Sequence, residues 1–443
     1  MYLFNTLLSQ STFMLVKSIY TYLFNYGGKY YLYNSRSNYF IEISQNFYEV
    51  MEEGNLAAIP NSVLSTLQSH EVIVDDSKLY DFYYSELFKF NRRNYADSNL
   101  NLVIAPTTSC NFACPYCFEP KQNTRTMSTE TINNLVQFIR EHHEAKTISL
   151  IWYGGEPLLA FDKIKQIYEN ILVNGMPKII FQSVVTNGYL LNNDVIGFFK
   201  DRHCNNIQIT LDGIGNNNST RCLKGSDRPT FDVIVSNIDK AIKELEETEL
   251  HIRVNINKKN YTNYIEVKNY FKDKYPDNKM IYVYPGIIRE EDKTSRTLCE
   301  SSFKTTEILE MKRLLRRNGI DTSDFPKREY RGCIMHMANG YVIGPEGEIY
   351  KCWNDVGNSN AVVGNINNEH LTNPSLFIKY MVQANPFNSK CKDCFAFPIC
   401  DGGCGYHRYR NLFDNCNFDV CSPYKDKKQL ISALLSGIKP GFE

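Results

Sequence analysis

Between roughly residues 100 and 290 the chain alternates short apolar, β-branched runs with stretches of helical periodicity, and this rhythm constrains the fold more than any single motif. The runs are Leu102–Ala105, Ile148–Tyr153, Ile179–Val185, Ile207–Leu211, Ile252–Ile256 and Met280–Tyr284. Helical spacing between them is clearest at Phe231, Val235, Ile238 and Ile242. Six strand–helix units in series predict parallel strands, because each helix carries the chain back to the start of the next strand. Helices then bury both faces of the sheet. The expectation is an α/β fold closed into an open, partial (β/α)6 barrel. Reactive loops in such sheets follow the C-terminal ends of the strands. Here a cysteine run follows the first strand, YGGEP the second and TNG the third, while LDG closes the fourth.

The cysteine run, Cys110, Cys114 and Cys117, has C-x3-C-x2-C spacing. A cubane iron–sulfur cluster normally takes four thiolates, so three from one short loop leave one iron open to a small molecule. A structural zinc knuckle is the competing reading. Zinc, however, prefers C-x2-C pairs and a closed set of four ligands, and no fourth Cys or His lies near this loop. A second array holds Cys333, Gly347-x4-Cys352, then Cys391, Cys394, Cys400, Cys404 and Cys421. Seven thiolates exceed the single tetrahedral site of a zinc ribbon.

With 14 cysteines crowded into two regions of a 443-residue chain, these residues read as metal ligands in a reducing cytosol rather than as a disulfide scaffold. Lys plus Arg and Asp plus Glu each total 49, which leaves no basic field to attract nucleic acid or an anionic membrane. The opening residues lack a signal-peptide pattern, and no apolar run reaches membrane-spanning length, so a cytoplasmic location is expected.

The organisation expected is residues 1–95 as an N-terminal module, 96–290 as the barrel, 291–330 as a helical bridge and 331–443 as a Cys-rich domain. In the first, YTYLF, KYYLY and YFIEI read as β segments, followed by a helix from Gln45 to Glu53 stopped by Gly54 and a second after Pro60. That is a small β-plus-helix module of the winged-helix kind, or a packing extension of the barrel.

Tyr116 and the whole segment CPYCFEP resemble the signature of the radical S-adenosylmethionine (radical SAM) enzymes. The resemblance implies a partial TIM-type barrel whose 4Fe–4S cluster, on Cys110, Cys114 and Cys117, binds S-adenosylmethionine at its open iron and cleaves it to a 5'-deoxyadenosyl radical. Gly154, Gly155, Glu156 and Pro157 resemble the family's GGEP element, whose backbone receives the amino group of S-adenosylmethionine. The alternative is a tight turn with Glu156 at a helix N-terminus. Thr186, Asn187 and Gly188 resemble the TNG turn, and Thr210, Leu211, Asp212 and Gly213 the S-x-D-G element. Arg221 falls where relatives place an arginine for the S-adenosylmethionine carboxylate, which suits a guanidinium fork; a surface ion pair is the alternative. Cys222 reads as a packing residue.

The second array resembles the SPASM domain, which holds auxiliary iron–sulfur clusters in radical SAM enzymes that modify peptides or proteins. Its interleaved pattern implies one cluster on Cys391, Cys394, Cys400 and Cys421 and another on Cys333, Cys352 and Cys404. Cys416 competes with Cys421. Fully ligated relatives have one more cysteine upstream, and Lys327 to Gly332 contains none, which leaves an open iron or a substitute ligand such as His336 or Cys299. The resemblance implies a precursor peptide or protein as substrate and an electron donor such as flavodoxin or ferredoxin. A maturase of ribosomal peptides is the preferred reading, forming a thioether or carbon–carbon crosslink or a related oxidation. Sulfatase maturation is an alternative, weakened because Trp353 stands where those enzymes place an Asp after the G-x4-C cysteine, and kept open by Asp355. A non-catalytic iron–sulfur sensor is the third.

Overall fold

The computed structural model describes residues 14–117, 119, 124–173, 175–288, 307–320, 325–327, 332–368, 370–400 and 402–436. Cys299 and most of the bridge lie outside them. Strands β1 (Leu15–Lys17), β2 (Thr21–Tyr26), β3 (Lys29–Asn34) and β4 (Tyr39–Ile43) precede helices α1 (Gln45–Glu53) and α2 (Asn61–Ser69). Ser44 caps α1 by accepting from the Phe47 amide, and Gly54 ends it in a left-handed conformation. β5 (Ile73–Asp75) pairs antiparallel with β1, and α3 (Asp81–Asn94) leads into the barrel.

The antiparallel sheet β2-β3-β4 is apolar on both faces. Leu23 and Leu32 pack on Met51 and Leu67 of the helices. From the opposite face Phe24, Tyr31 and Tyr33 pack on Leu309, Ile399, Leu430 and Leu434, which joins the N-terminal module to the C-terminal part. Each such buried side chain contributes about 1.5–3 kcal/mol, so the module is anchored rather than tethered.

The barrel strands are β6 (Asn99–Ile104), β7 (Thr147–Trp152), β8 (Lys178–Thr186), β9 (Asn206–Leu211), β10 (Glu249–Ile256) and β11 (Ile281–Ile287). They are parallel and in sequential order, and they occur within a few residues of where the apolar runs predict them. Helices α4 (Thr129–Glu141), α5 (Phe161–Ile171), α6 (Asn193–Asp201), α7 (Phe231–Glu244) and α8 (Tyr261–Lys274) fill the connections. Their apolar stripes, such as Ile234, Ile238 and Ala241 of α7, bury against Ile207, Ile209, Ile252 and Val254.

The sheet does not stop at six strands. β12 (Gly340–Ile343) pairs parallel with β6, and β13 (Glu348–Tyr350) and β14 (Gly364–Asn365) continue it antiparallel to nine strands. The Cys-rich region is thus built onto the barrel's first strand. Gly347 turns the β12–β13 hairpin at φ 83°, which accounts for the glycine five residues before Cys352. Among the described residues, no helix is long and apolar enough to cross a membrane.

Candidate active site

The loop after β6 carries Cys110, half-buried, Cys114, buried, and Cys117, exposed. It is clamped from two sides. The Ala113 amide donates to the Cys222 carbonyl (2.9 Å) and the Lys224 amide to the Asn111 carbonyl (2.8 Å). Cys222 therefore serves through its backbone. On the other side the amides of Gly155 and Glu156 donate to Thr107 (3.2 Å) and Ser109 (2.8 Å). A Cβ at Gly154 would stand 2.2 Å from the Thr107 carbonyl, and one at Gly155 2.5 Å from the Ser109 carbonyl. The two glycines are there because two rim loops touch.

Glu156 braces the GGEP turn. Its carboxylate is fully buried and accepts from Thr186 Oγ1 (2.7 Å), the Asn187 amide (2.7 Å) and the Leu158 amide (3.1 Å), the last as N-cap of the 3-10 turn Pro157–Ala160. Burial pushes its carboxyl up from the usual range, and these three donors work against that. Glu156 ties GGEP to Thr186 and Asn187, and Asn187 Nδ2 reaches Asn111 in the cysteine loop (2.7 Å).

Tyr116 is likewise a brace. Its hydroxyl donates to Asp212, lying 2.6 and 2.8 Å from the two carboxylate oxygens, and accepts from Arg221 Nη1 (2.9 Å). Thr220 also donates to Asp212, whose amide donates to Asn218 Oδ1 (2.8 Å). Arg221 is 8% exposed, over the Phe112 ring at 5.5 Å. Burial opposes its charge, but Tyr116, Cys114 and Asp212 more than offset this and hold it protonated. Its Nε has no hydrogen-bond partner among the described residues. An arginine this buried is no surface ion pair, and an unpartnered donor beside the cysteine loop suits a carboxylate ligand. Thr210, half-buried, lies in register with Arg253 of β10.

The cysteine loop also suits a cationic metal core. Burial, with the nearby Glu156, Cys114 and Cys117, pushes Cys110 up to about 11 despite the Phe112 amide. A positive centre would offset both burial and mutual repulsion. Among the described residues, no three His, Cys, Asp or Glu side chains converge as the ligands of a single ion would.

Four side chains make contacts that the sequence reading does not anticipate. Tyr153, just past β7, bonds Glu119, whose carboxyl burial pushes up to about 7, and stacks on Trp353 (centroids 5.5 Å, 22°). Glu119, two residues after Cys117, and Trp353, one after Cys352, thereby meet across one tyrosine. Arg253 faces the barrel interior near Tyr153 and Tyr284, and its Nε has no partner among the described residues. The period-two pattern of β10, with His251, Arg253 and Asn255 between Ile252, Val254 and Ile256, is the signal that marks it.

In the second array, Cys333, Cys352 and Cys404 lie within electrostatic reach of one another. Cys391, Cys394 and Cys421 form another group, beside Lys425. Cys416 instead donates to the Asp414 carbonyl. Asp355 is 2% exposed and accepts from Tyr380 Oη (2.8 Å), and burial pushes it up to about 7. It lies within electrostatic reach of Cys352, whereas Trp353 is exposed.

Residues 104–298 match the profile described as the Radical SAM superfamily. This part of the chain is a radical SAM domain. A 4Fe–4S cluster and S-adenosylmethionine are the cofactors characteristic of that family. The chain is similar to a cysteine-type anaerobic sulfatase-maturating enzyme of Clostridium novyi, 24% identical over 74% of this chain and 94% of that one. Among solved structures it resembles anSMEcpe with bound AdoMet and Cp18Cys peptide (TM-score 0.56, 20% identity, 77% of this chain and 100% of that one). It also resembles Streptococcus suis SuiB bound to precursor peptide SuiA (TM-score 0.50, 17% identity, 93% and 98%). At these identities the structural likeness speaks to fold.

Proposed function

We propose that this radical SAM enzyme is a maturase of a ribosomally made peptide, forming a thioether or carbon–carbon crosslink or a related oxidation. The observation that carries this reading is the N-terminal module. Its sheet ends at β4, whose outer edge pairs with no strand among the described residues. An open strand edge captures an extended peptide through main-chain hydrogen bonds. The opposite face of the same sheet is packed on the Cys-rich region, which fixes that edge relative to the barrel. The fold likeness to SuiB spans 93% of the chain, against 77% for anSMEcpe, consistent with a unit beyond the barrel and the second array.

Cys110, Cys114 and Cys117 would hold the first cluster, which with S-adenosylmethionine supplies a 5'-deoxyadenosyl radical that removes hydrogen from substrate. The chain's own part is positioning. Arg221 pairs with the carboxylate of S-adenosylmethionine through its free Nε, held in place by Tyr116 and Asp212. Glu156 fixes the relation of GGEP to Thr186 and Asn187, and Thr210 lines the interior below them. Tyr153 and Trp353 cover the mouth and limit water. Cys391, Cys394, Cys400 and Cys421 would hold one auxiliary cluster, and Cys333, Cys352 and Cys404 another.

The test is the mass of a short peptide encoded beside this gene, after anaerobic co-expression with the protein. Loss of two hydrogens, absent with Cys114→Ala, supports the crosslink. A peptide left unchanged while a sulfatase gains formylglycine would replace this reading with the sulfatase one. A pure sensor would not cleave S-adenosylmethionine under strong reductant.

A further inference from the structure

The group Cys333, Cys352 and Cys404 is one thiolate short of a closed cluster. Three polar side chains pack near it: Lys351, Asp355 and His336. Lys351 Nζ is fully buried and already donates to the carbonyls of Met337 (2.6 Å) and Gly340. Asp355 accepts from Tyr380 Oη. His336 is different. It sits on the 3-10 turn Ile334–His336 directly after Cys333, is 5% exposed, and its Nδ1 has no hydrogen-bond partner among the described residues.

A buried ring nitrogen with no partner calls for an explanation, and an absent ion is a standard one. The rest of the ring agrees. His336 is hydrogen-bonded to the main chain of Tyr380, and since Nδ1 is partnerless the bond falls to Nε2. A histidine that donates one N–H to a backbone carbonyl is left with the lone pair on its other nitrogen, the arrangement metal-binding histidines use. The Nε2 edge lies against Gly405, the residue after Cys404, where a Cβ would stand 2.7 Å from Nε2. A side chain at position 405 would push the ring away from the Cys404 loop. The Phe90 ring lies 5.7 Å away.

We propose that His336 closes the cluster of Cys333, Cys352 and Cys404, binding its fourth iron through Nδ1. The assignment rests on the reading of these three cysteines as auxiliary-cluster ligands. It leaves no open iron there for a substrate thiolate. It also replaces one thiolate by a neutral ligand, which raises the cluster's reduction potential.

The experiment uses the full chain, reconstituted anaerobically without S-adenosylmethionine, reduced, and examined by pulsed EPR with ordinary and isotope-labelled histidine. A strongly coupled histidine nitrogen is expected, lost in both His336→Ala and His336→Cys. The cysteine variant should retain its iron and shift one cluster to lower potential. Auxiliary-cluster signals without strongly coupled histidine nitrogen, or a coupling that survives His336→Cys, would overturn the assignment. Iron content separates this from the reading beneath it: Cys404→Ala with undiminished iron would remove the auxiliary cluster itself.

Discussion

The two cysteine regions are built in opposite ways. Cys110, Cys114 and Cys117 come from one eight-residue loop, and the fold's contribution is to clamp that loop between GGEP and the Cys222–Lys224 segment. Cys333, Cys352 and Cys404 come from a 3-10 turn, the end of a hairpin and the start of a late helix, so only the finished fold brings them together. A local site can be read from spacing and fails by losing one ligand. An assembled site depends on β12 adding to β6 across more than two hundred residues of sequence, and it fails when the scaffold shifts. The two meet at Tyr153, between Glu119 and Trp353.

If the regions are separate centres, substitutions should divide cleanly between them. The largest effect belongs to Cys114→Ala, which should reduce 5'-deoxyadenosine formation under strong reductant to background; retained formation would dissolve the distinction between the two sites. Glu156→Gln comes next. Losing charge-assisted hydrogen bonds costs about 1.5–3 kcal/mol each, so the variant should melt several degrees lower and bind S-adenosylmethionine weakly. Binding unchanged from the unsubstituted protein would mean GGEP does not depend on its carboxylate.

Arg221→Lys keeps the charge but loses the planar fork, and calorimetry should show roughly tenfold weaker S-adenosylmethionine binding, about 1.4 kcal/mol. An affinity matching the parent would assign that carboxylate to another residue. The smallest effect is that of Trp353→Phe, expected to change S-adenosylmethionine cleavage little. The chain has 2 tryptophans, and Trp152 is fully buried, so the solvent-exposed part of the emission should vanish with Trp353. A large fall in cleavage would show that the mouth stack supports the first centre as well.

What sequence revealed follows the same division. Barrel strands were legible because parallel strands buried on both faces need apolar runs, and Ile207, Ile209 and Leu211 supply one. The N-terminal hairpins and α1 were legible through their turn and capping residues. β12, β13 and β14 were not, since GYVI and EIY are too short to signal pairing with a strand so distant. β1 and β5 escaped for the same reason. The bracing contacts of Glu156 and Tyr116 were not legible because their partners, Thr186, Asn187, Asp212 and Arg221, are neighbours only in space. The bond that buried Asp355 accepts from Tyr380 was not legible either, since the two lie 25 residues apart.

The most direct test of two independent centres is a paired measurement of iron content and 5'-deoxyadenosine formation in Cys114→Ala and Cys404→Ala. The account predicts that Cys404→Ala loses iron yet still cleaves S-adenosylmethionine, while Cys114→Ala retains the auxiliary iron and cleaves none. Cleavage abolished equally in both variants, with the Cys404→Ala protein folded, would contradict it.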